Sequence, residues 1–297
     1  KLEVKVERNF FPYYYKADAN GQYYTYPDYK KASRIRALSQ KDLNKLKHYK
    51  DVYETDVALT KKYIIDKDIV FKKSKARFVW FDIEVLQAPG TSMKDHTCPV
   101  SCITTKDSKT GTTKSFFLLD EMSKEKDIVK AEHLLIVKFV QYIKDTKPDM
   151  LLAWHVEFDW DYLANRFPNI IKELSPIDAT RYSGTLNGGD LPCGLAIVDY
   201  LQYFKKVNLR EASYKLDAVC EKHLKVGKKH KEVDFQTLSP IIKERNREDV
   251  ELMAQLEEKF QLIPYYDEIR RLTRVGWEEL YHNSKPIEML MLSQANK

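Results

Sequence analysis

The sequence predicts an α/β protein. Segments of strand length alternate with helical segments between residues 78 and 262, a pattern typical of a sheet covered by helices. The 297 residues suffice for one large domain or two smaller ones. Hydrophobic residues make up 43% of the chain and charged residues 32%, so we expect an ordinary globular protein.

The N-terminal segment contains a tyrosine-rich stretch, YYYKADANGQYYTY (13–26). Its central Asn20-Gly21 pair favours a type I′ turn, which predicts a β-hairpin. Tyrosines can stack on nucleic-acid bases, but tyrosine also favours strands, and the second interpretation is preferred here. The segment SQKDLNKLKHY (39–49) follows as a short predicted helix with Leu43 and Leu46 facing inward.

Positive charge is concentrated in the first 50 residues. They contain twelve Lys/Arg and five Asp/Glu, a net charge of +7, whereas the whole chain carries +6. This asymmetry indicates either contact with a polyanion or a solvated basic face, and charge alone favours neither.

The segment FVWFDIEV (78–85) is a predicted core strand that ends in two acids. Side chains alternate between the faces of a strand, so one face is wholly apolar and the other carries Asp82 and Glu84. Two carboxylates on one face repel each other unless they stay solvated or share a cation. The pair therefore indicates either a strand running out into water or one edge of a site for Mg²⁺ or Mn²⁺, which prefer oxygen ligands.

Further elements follow this strand in an alternating order. The sequence predicts a strand pair near 100–119, a helix from about Lys124 to Lys144, a buried strand at 150–158, a helix beginning with DWDYLANRF, a glycine-rich hairpin at 182–194, a strand LAIVDYLQYF and a helix SYKLDAVCEKHL. The hairpin lacks the G-x-x-x-x-G-K pattern of a phosphate-binding loop, so we interpret it as a turn.

Two more acids stand where an unpaired charge is unexpected. In the predicted helix LSPIIKERNREDVELMAQLEEKF, Ser239 suits the N-cap and Pro240 the first helical position. Asp249 shares the apolar stripe of this helix with Met253, Leu256 and Phe260. Asp159 ends the predicted strand 150–158 and precedes a helix, a place where functional groups are common and where N-caps are common too.

These acids together suggest a metal centre. Asp82, Glu84, Asp159 and Asp249 would repel one another strongly if they converged without cations. Two divalent ions held by the four carboxylates could activate water and stabilise a leaving oxygen, the arrangement used for phosphodiester hydrolysis.

The same residues, in this order, resemble the 3′–5′ exonuclease domain of family B DNA polymerases. FDIEV looks like the first exonuclease motif of that family, LLAWHVEFDWDYLANR like the second and RNREDVELMAQLEEKFQLI like the third. VYETDVALTKKYIIDKDI and GWEELYHNSKPIEMLMLSQANK resemble the segments that flank this domain, so the resemblance covers nearly the whole chain.

Two residues depart from the motifs of the family. His155 stands where the family usually has Asn, and Arg245 stands where it has a tyrosine that helps to place the attacking water. Both remain candidate catalytic residues. The chain also lacks the D-T-D metal motif of the polymerase centre, so polymerisation by these residues alone is not expected.

The resemblance implies a ribonuclease H-like fold, a mixed sheet flanked by helices, in residues 77–262. Residues 1–76, completed by 263–297, would form a smaller α+β N-terminal domain, and 263–297 would lead toward a palm domain. It also implies a proofreading exonuclease that uses two Mg²⁺ or Mn²⁺ ions, with the 3′ end of single-stranded DNA, primer-template DNA and a polymerase domain as partners. The alternatives are a weakened module that binds DNA or braces a polymerase, and a free-standing nuclease.

The number of cysteines and the length of the apolar runs bear on the cellular setting. Four cysteines are too few for a disulfide scaffold and indicate a reducing, intracellular compartment, such as the cytoplasm, the nucleoid or a virus-infected cell. No apolar run approaches the ~18 residues of a membrane span. No membrane partner is therefore expected.

Overall fold

The computed structural model describes residues 9–25, 28–73, 75–182, 190–208, 210–230 and 232–295. The chain forms two compact units. The first comprises residues 1–72, 270–275 and 283–297, and the second comprises residues 73–269 and 276–282. Within the described ranges, no helix is both long enough and apolar enough to cross a membrane.

The strands of the described residues are β1 (Tyr13–Ala17), β2 (Tyr23–Tyr24), β3 (Lys31–Arg36), β4 (Val52–Tyr53), β5 (Phe78–Val85), β6 (Val100–Asp107), β7 (Thr113–Phe117), β8 (Met150–Ala153), β9 (Thr180–Tyr182), β10 (Asp190–Pro192) and β11 (Ala196–Asp199). The α-helices are α1 (Gln40–Leu46), α2 (Leu59–Asp66), α3 (Leu118–Met122), α4 (Ile128–Thr146), α5 (Val156–Arg166), α6 (Pro168–Leu174), α7 (Tyr200–Val207), α8 (Leu216–Leu224), α9 (Pro240–Phe260), α10 (Leu262–Thr273) and α11 (Ser284–Ala295). Short 3₁₀ turns occur at Met93–Asp95 and Trp277–Glu279.

The first unit is built on an antiparallel sheet with the strand order β2-β3-β1-β4. Helix α1 begins after Ser39, whose side chain accepts a hydrogen bond from the Asp42 N–H at 3.2 Å. Leu43 of this helix is buried and Leu46 is half-buried, as the sequence predicts. Helices α2 and α11 pack against each other. The expected small α+β domain is therefore present.

The predicted hairpin at Asn20-Gly21 is wrong. β1 and β2 do not pair with each other, because β3 lies between them and pairs with both. Neither Asn20 nor Gly21 has the positive φ that a type I′ turn needs. Gly21 is required here for another reason, since a Cβ at this position would clash with the Ala32 carbonyl oxygen.

The second unit contains a mixed five-stranded sheet with the order β11-β8-β5-β6-β7. β11, β8 and β5 run parallel, whereas β6 and β7 are antiparallel to their neighbours. Helix α4 covers the apolar face of β5, since Ile83 belongs to the same buried cluster as Leu135 and Phe139. Helix α9 covers the opposite face, where Asn246 contacts Asp82. This arrangement confirms the expected mixed sheet flanked by helices.

Several boundaries differ from those predicted, and at two of them an aspartate N-cap sets the residue at which the helix begins. The helix predicted from Lys124 begins at Ile128, since Asp127 accepts hydrogen bonds from the N–H groups of Val129 and Lys130 at 2.9 and 3.3 Å. The predicted strand LAIVDYLQYF splits into β11 and α7, with Asp199 as the N-cap. The strand predicted at 150–158 ends at Ala153.

The glycine-rich hairpin is only partly within the described residues. β9 and β10 pair antiparallel, with Tyr182 opposite Asp190. The glycine-containing stretch between these two residues, 183–189, lies outside the described residues.

Candidate metal centre

Strand β5 presents two acids to α9. Ile83 and Val85 are buried on the apolar face, whereas Asp82 and Glu84 alternate with them on the other face and are half-buried. β5 lies between β8 and β6, so both acids are near the middle of the sheet. The alternation predicted from FVWFDIEV is therefore present, but α9 covers this face, so the acids do not run out into water.

Helix α9 brings a third carboxylate to this pair. It begins at Pro240 after the N-cap residue Ser239, as predicted, although the Ser239 side chain makes no capping hydrogen bond. Asp249 lies near the middle of α9 and is only 7% exposed. Asp82, Glu84 and Asp249 each offer an oxygen atom, and these three atoms lie within 4.8 Å of one another.

Asp159 reaches the same strand from a different element than predicted. It does not end a strand, because α5 begins at Val156 and places Asp159 in its first turn. Asp159 is 4% exposed, and its Oδ1 accepts a hydrogen bond from the Ile83 N–H at 3.1 Å. The carboxylate therefore lies against β5 at the residue between Asp82 and Glu84. It is not the N-cap either, since His155 holds that position.

The electrostatics of the four acids show the cost of bringing them together. Burial, followed by repulsion from the other three carboxylates, raises the pKa of Asp82 well above its usual range. Burial and Asp249 raise the pKa of Glu84 to about 8. Burial also raises the pKa of Asp159 to about 7, although the Ile83 N–H opposes the shift. The cluster carries more negative charge than its described protein surroundings balance.

Lys228 is a residue of the site that sequence analysis missed. Its Nζ lies 2.6 Å from Oδ1 and 2.7 Å from Oδ2 of Asp249, and both side chains are 10% exposed. Burial raises the pKa of Asp249, and this lysine opposes the shift. Lys228 is held in place because its backbone N–H donates to Asp217 Oδ1 at 2.6 Å. In the sequence it is one of several lysines in KVGKKHK, and nothing there distinguishes it.

Arg245 lies beside the acids but is engaged mainly elsewhere. Its Nη1 donates to the His230 carbonyl oxygen at 2.5 Å, while its Nε is 3.6 Å from Asp249 Oδ2. Arg245 thus forms a looser ion pair with Asp249 than Lys228 does. The hydrogen bond from Arg245 to the His230 carbonyl also links the segment that carries Lys228 to helix α9.

His155 is not brought into the carboxylate group. Its side chain is exposed at the start of α5 and makes no capping hydrogen bond. Among the described residues, the set with metal-ligand spacing consists of Asp82, Glu84 and Asp249.

The residues present fit a divalent metal ion. Hard carboxylate oxygens are the ligands that Mg²⁺ and Mn²⁺ prefer, and a cation would relieve the repulsion that raises the pKa values. Asn246 supplies a second observation, because its amide Nδ2 donates to Asp82 Oδ2 at 2.6 Å while its buried Oδ1 has no hydrogen-bond partner. A buried acceptor without a partner is costly, so the site is chemically incomplete without a further group.

Comparison with protein families gives one match. The family described as "DNA polymerase family B, exonuclease domain" matches residues 71–219. The match includes Asp82, Glu84 and Asp159 and ends before Arg245 and Asp249.

Known proteins similar to this chain are archaeal DNA polymerases. The DNA polymerase of Thermococcus sp. (strain GE8) is 29% identical over 119 residues, which is 39% of this chain and 7% of that protein. The DNA polymerase of Thermococcus gorgonarius is 28% identical over 119 residues, or 39% of this chain and 15% of that protein. The matched segments are thus small parts of these relatives.

Solved structures with a fold similar to that of this chain include a family B DNA polymerase. The family B DNA polymerase from the hyperthermophilic archaeon Pyrobaculum calidifontis superposes with a TM-score of 0.74 and 19% sequence identity. The alignment covers 97% of this chain and 46% of that polymerase, so the chain spans less than half of its length. At this sequence identity, the similarity shows that the two chains share a fold.

These findings have one chemical consequence. An exonuclease domain of this kind implies the use of a divalent metal ion, and the carboxylate cluster of Asp82, Glu84 and Asp249 is present.

Proposed function

Because the chain belongs to the protein family described as "DNA polymerase family B, exonuclease domain", we propose that it is a 3′–5′ proofreading exonuclease module. Its substrate is the 3′ end of single-stranded DNA. The observation that supports this proposal best is the approach of Asp82, Glu84 and Asp249 to within 4.8 Å of one another on a strand and a helix. The reaction is hydrolysis of the 3′-terminal phosphodiester.

The four acids hold the metal in this proposal. Asp82, Glu84, Asp159 and Asp249 would hold two Mg²⁺ or Mn²⁺ ions, which would supply an activated water and stabilise charge on the leaving oxygen. Asp159 is aimed at the cluster by the Ile83 N–H, and Asp82 by the Asn246 amide. Both ligands are therefore oriented before any ion arrives.

Hydrolysis of the terminal phosphodiester needs water as its only co-reactant. Water attacks the phosphorus of the terminal phosphodiester, and the bond from phosphorus to the 3′ oxygen of the preceding nucleotide breaks. A nucleoside 5′-monophosphate leaves, and the shortened strand keeps a 3′ hydroxyl group. Glu84 orients the water through its carboxylate, and Lys228 donates a hydrogen bond to a phosphate oxygen when it is not bound to Asp249.

Two further residues are proposed to contribute less directly. Arg245 attracts the scissile phosphate and keeps the segment around His230 on α9. His155, exposed at the start of α5 and four residues before Asp159, is proposed to contact the DNA strand at the edge of the site. Neither is proposed to accept the proton of the attacking water.

A catalytically weakened module is the alternative. It depends on Arg245 replacing a tyrosine, and Arg245 contacts Asp249 only at 3.6 Å. No described feature removes a carboxylate from the cluster, so this alternative is not favoured.

The wider setting follows from the family and remains part of the proposal. The exonuclease domain is proposed to span residues 77–262, and residues 1–76 with 263–297 are proposed to form the N-terminal domain, whose basic first 50 residues contact primer-template DNA. Within 263–297, residues 263–269 and 276–282 belong to the compact unit that contains the five-stranded sheet. The polymerase domain is in the same parent chain or a separate subunit. The module acts inside the cell in a reducing compartment, consistent with four free cysteines.

A nuclease assay with a single strand labelled at its 5′ end tests the proposal. With Mg²⁺ or Mn²⁺ we expect a ladder that shortens from the 3′ end, and we expect Asp82→Ala and Asp249→Ala each to abolish it. Cleavage by both variants at the parental rate would show that another site cuts the DNA. Absence of cleavage by the parent with either metal would favour the weakened module.

A further inference from the structure

Asn246 is a fully buried amide in the middle of the acidic cluster. It lies on α9, one residue after Arg245 and three before Asp249, and its exposed fraction is 0%. Residues three apart on a helix share a face, so Asn246 and Asp249 both point toward β5. Its Nδ2 donates to Asp82 Oδ2 at 2.6 Å, a short bond of the charge-assisted kind.

The orientation of this amide is fixed by its partner. A carboxylate that holds a metal ion is ionised and can only accept hydrogen bonds, so in that state the nitrogen of Asn246 must face Asp82 and the oxygen must point away from it. That oxygen, Oδ1, is buried and has no hydrogen-bond partner. A buried acceptor that is left unpaired has lost its hydrogen bonds to water and gained none in return, which destabilises the fold.

The missing donor has to lie close to the carboxylates. The two polar atoms of a carboxamide are roughly 2.2 Å apart, so Oδ1 is within about 5 Å of Asp82 Oδ2 by covalent geometry. The nearby cations are engaged elsewhere, Lys228 with Asp249 and Arg245 with the His230 carbonyl. Water bound to a divalent ion is a strong hydrogen-bond donor and suits this position.

We propose that Asn246 is a positioning residue of the metal centre, which holds the Asp82 carboxylate with its amide N–H and accepts a hydrogen bond from a metal-bound water with its Oδ1. The inference rests on the proposed function and adds a role that the four acids do not fill. Arginine carries donors only, so Arg245 cannot accept a proton or a hydrogen bond from that water. The neighbouring Asn246 supplies the neutral acceptor.

Calorimetric titration with Mn²⁺ tests the role of Asn246 without relying on nuclease activity. Asn246→Leu keeps the shape of the side chain but removes both polar atoms. We expect Mn²⁺ binding to weaken about 10- to 100-fold, the range for loss of a group that orients a metal ligand. Thermal unfolding without metal is measured alongside, and we expect it to change little, because the unpaired acceptor disappears with the donor.

Two control variants distinguish a failure of the proposed Asn246 role from a failure of the proposed function. Asn165→Leu makes the same change at an exposed amide that bonds Asp161 at 2.9 Å, and we expect parental Mn²⁺ affinity. Asp82→Ala is expected to lose Mn²⁺ binding. If Asp82→Ala loses binding but Asn246→Leu binds like the parent, the role of Asn246 is overturned while the proposed function stands. A parent that binds no Mn²⁺ overturns the proposed function itself.

A second variant keeps the test decisive if Asn246→Leu does not fold. Asn246→Asp retains an acceptor and adds a negative charge beside the ion. We expect it to be less stable than the parent without metal and to gain more stability from Mn²⁺ than the parent does. A gain equal to or smaller than that of the parent would show that the side chain does not face the ion and would overturn the proposal.

Discussion

Replacing Lys228 with methionine probes the balance of charge in the metal centre. Methionine fills a similar volume but leaves Asp249 without its closest counter-ion. The ammonium group lies 2.6 and 2.7 Å from the two oxygens of Asp249 in a setting where each side chain is 10% exposed. At such a distance, with an effective dielectric constant of about 20, the attraction is about 6 kcal/mol. Desolvation offsets part of it, and breaking a buried pair costs about 3–5 kcal/mol.

The effect on stability without metal is reduced at neutral pH because Asp249 can take up a proton once the lysine has gone. We therefore expect Lys228→Met to lower the free energy of unfolding by about 3 kcal/mol in the presence of a chelator. For a unit of this size that corresponds to a melting temperature lower by about 6–12 °C. Thermal unfolding followed by calorimetry resolves such a shift.

Added Mn²⁺ should change this result. The ion and the ammonium group compete for Asp249, so Mn²⁺ should stabilise Lys228→Met more than the parent and reduce the difference between them. Lys222→Met is the matched control, since Lys222 pairs with Glu211 at 2.8 Å but is more than half exposed. We expect that variant to lose at most about 1 kcal/mol, with or without Mn²⁺. A loss for Lys228→Met that is equally small, or that Mn²⁺ leaves unchanged, would refute the reasoning.

Two further predictions concern other charged residues. Arg245→Tyr removes a fixed positive charge beside Asp249 and adds a neutral hydroxyl. We therefore expect this variant to digest a 3′-labelled single strand faster than the parent, by up to about 10²-fold. Slower digestion by the variant would show that Arg245 itself contributes to catalysis. Burial alone would raise the pKa of Asp107, but bonds from Arg77, the Lys109 N–H and Thr110 lower it to about 2. A lowered pKa stabilises the fold above the unfolded value of about 4, so about 2 kcal/mol should be lost as the pH falls from about 4 to 2. Urea unfolding should show this loss in the parent but not in Asp107→Asn; equal acid sensitivity in both would contradict it.

Short-range patterns predicted the parts of the site that lie on single regular elements. The alternation in FVWFDIEV placed Asp82 and Glu84 on one face of β5, and the apolar stripe of α9 placed Asp249 toward the sheet. In both cases the period of the element decides which side chains share a face.

Features set by distant contacts were not predictable from the sequence. Lys228 is recruited by Asp249, 21 residues later in the chain, and nothing in its local sequence singles it out. Asn246 looks like an ordinary polar helix residue until β5 is packed against α9. The Asn20-Gly21 pair carries a strong hairpin signal, yet Gly21 is needed for its close approach to Ala32 instead.

The most direct test of the central claim is a crystal structure with Mn²⁺ and its anomalous scattering. The claim is that the four acids form a divalent metal centre. We predict anomalous peaks bound by oxygens of Asp82, Glu84, Asp159 and Asp249, with the Lys228 ammonium moved away from Asp249. An anomalous map without a peak at the cluster at saturating Mn²⁺, and with Lys228 still on Asp249, would contradict the claim.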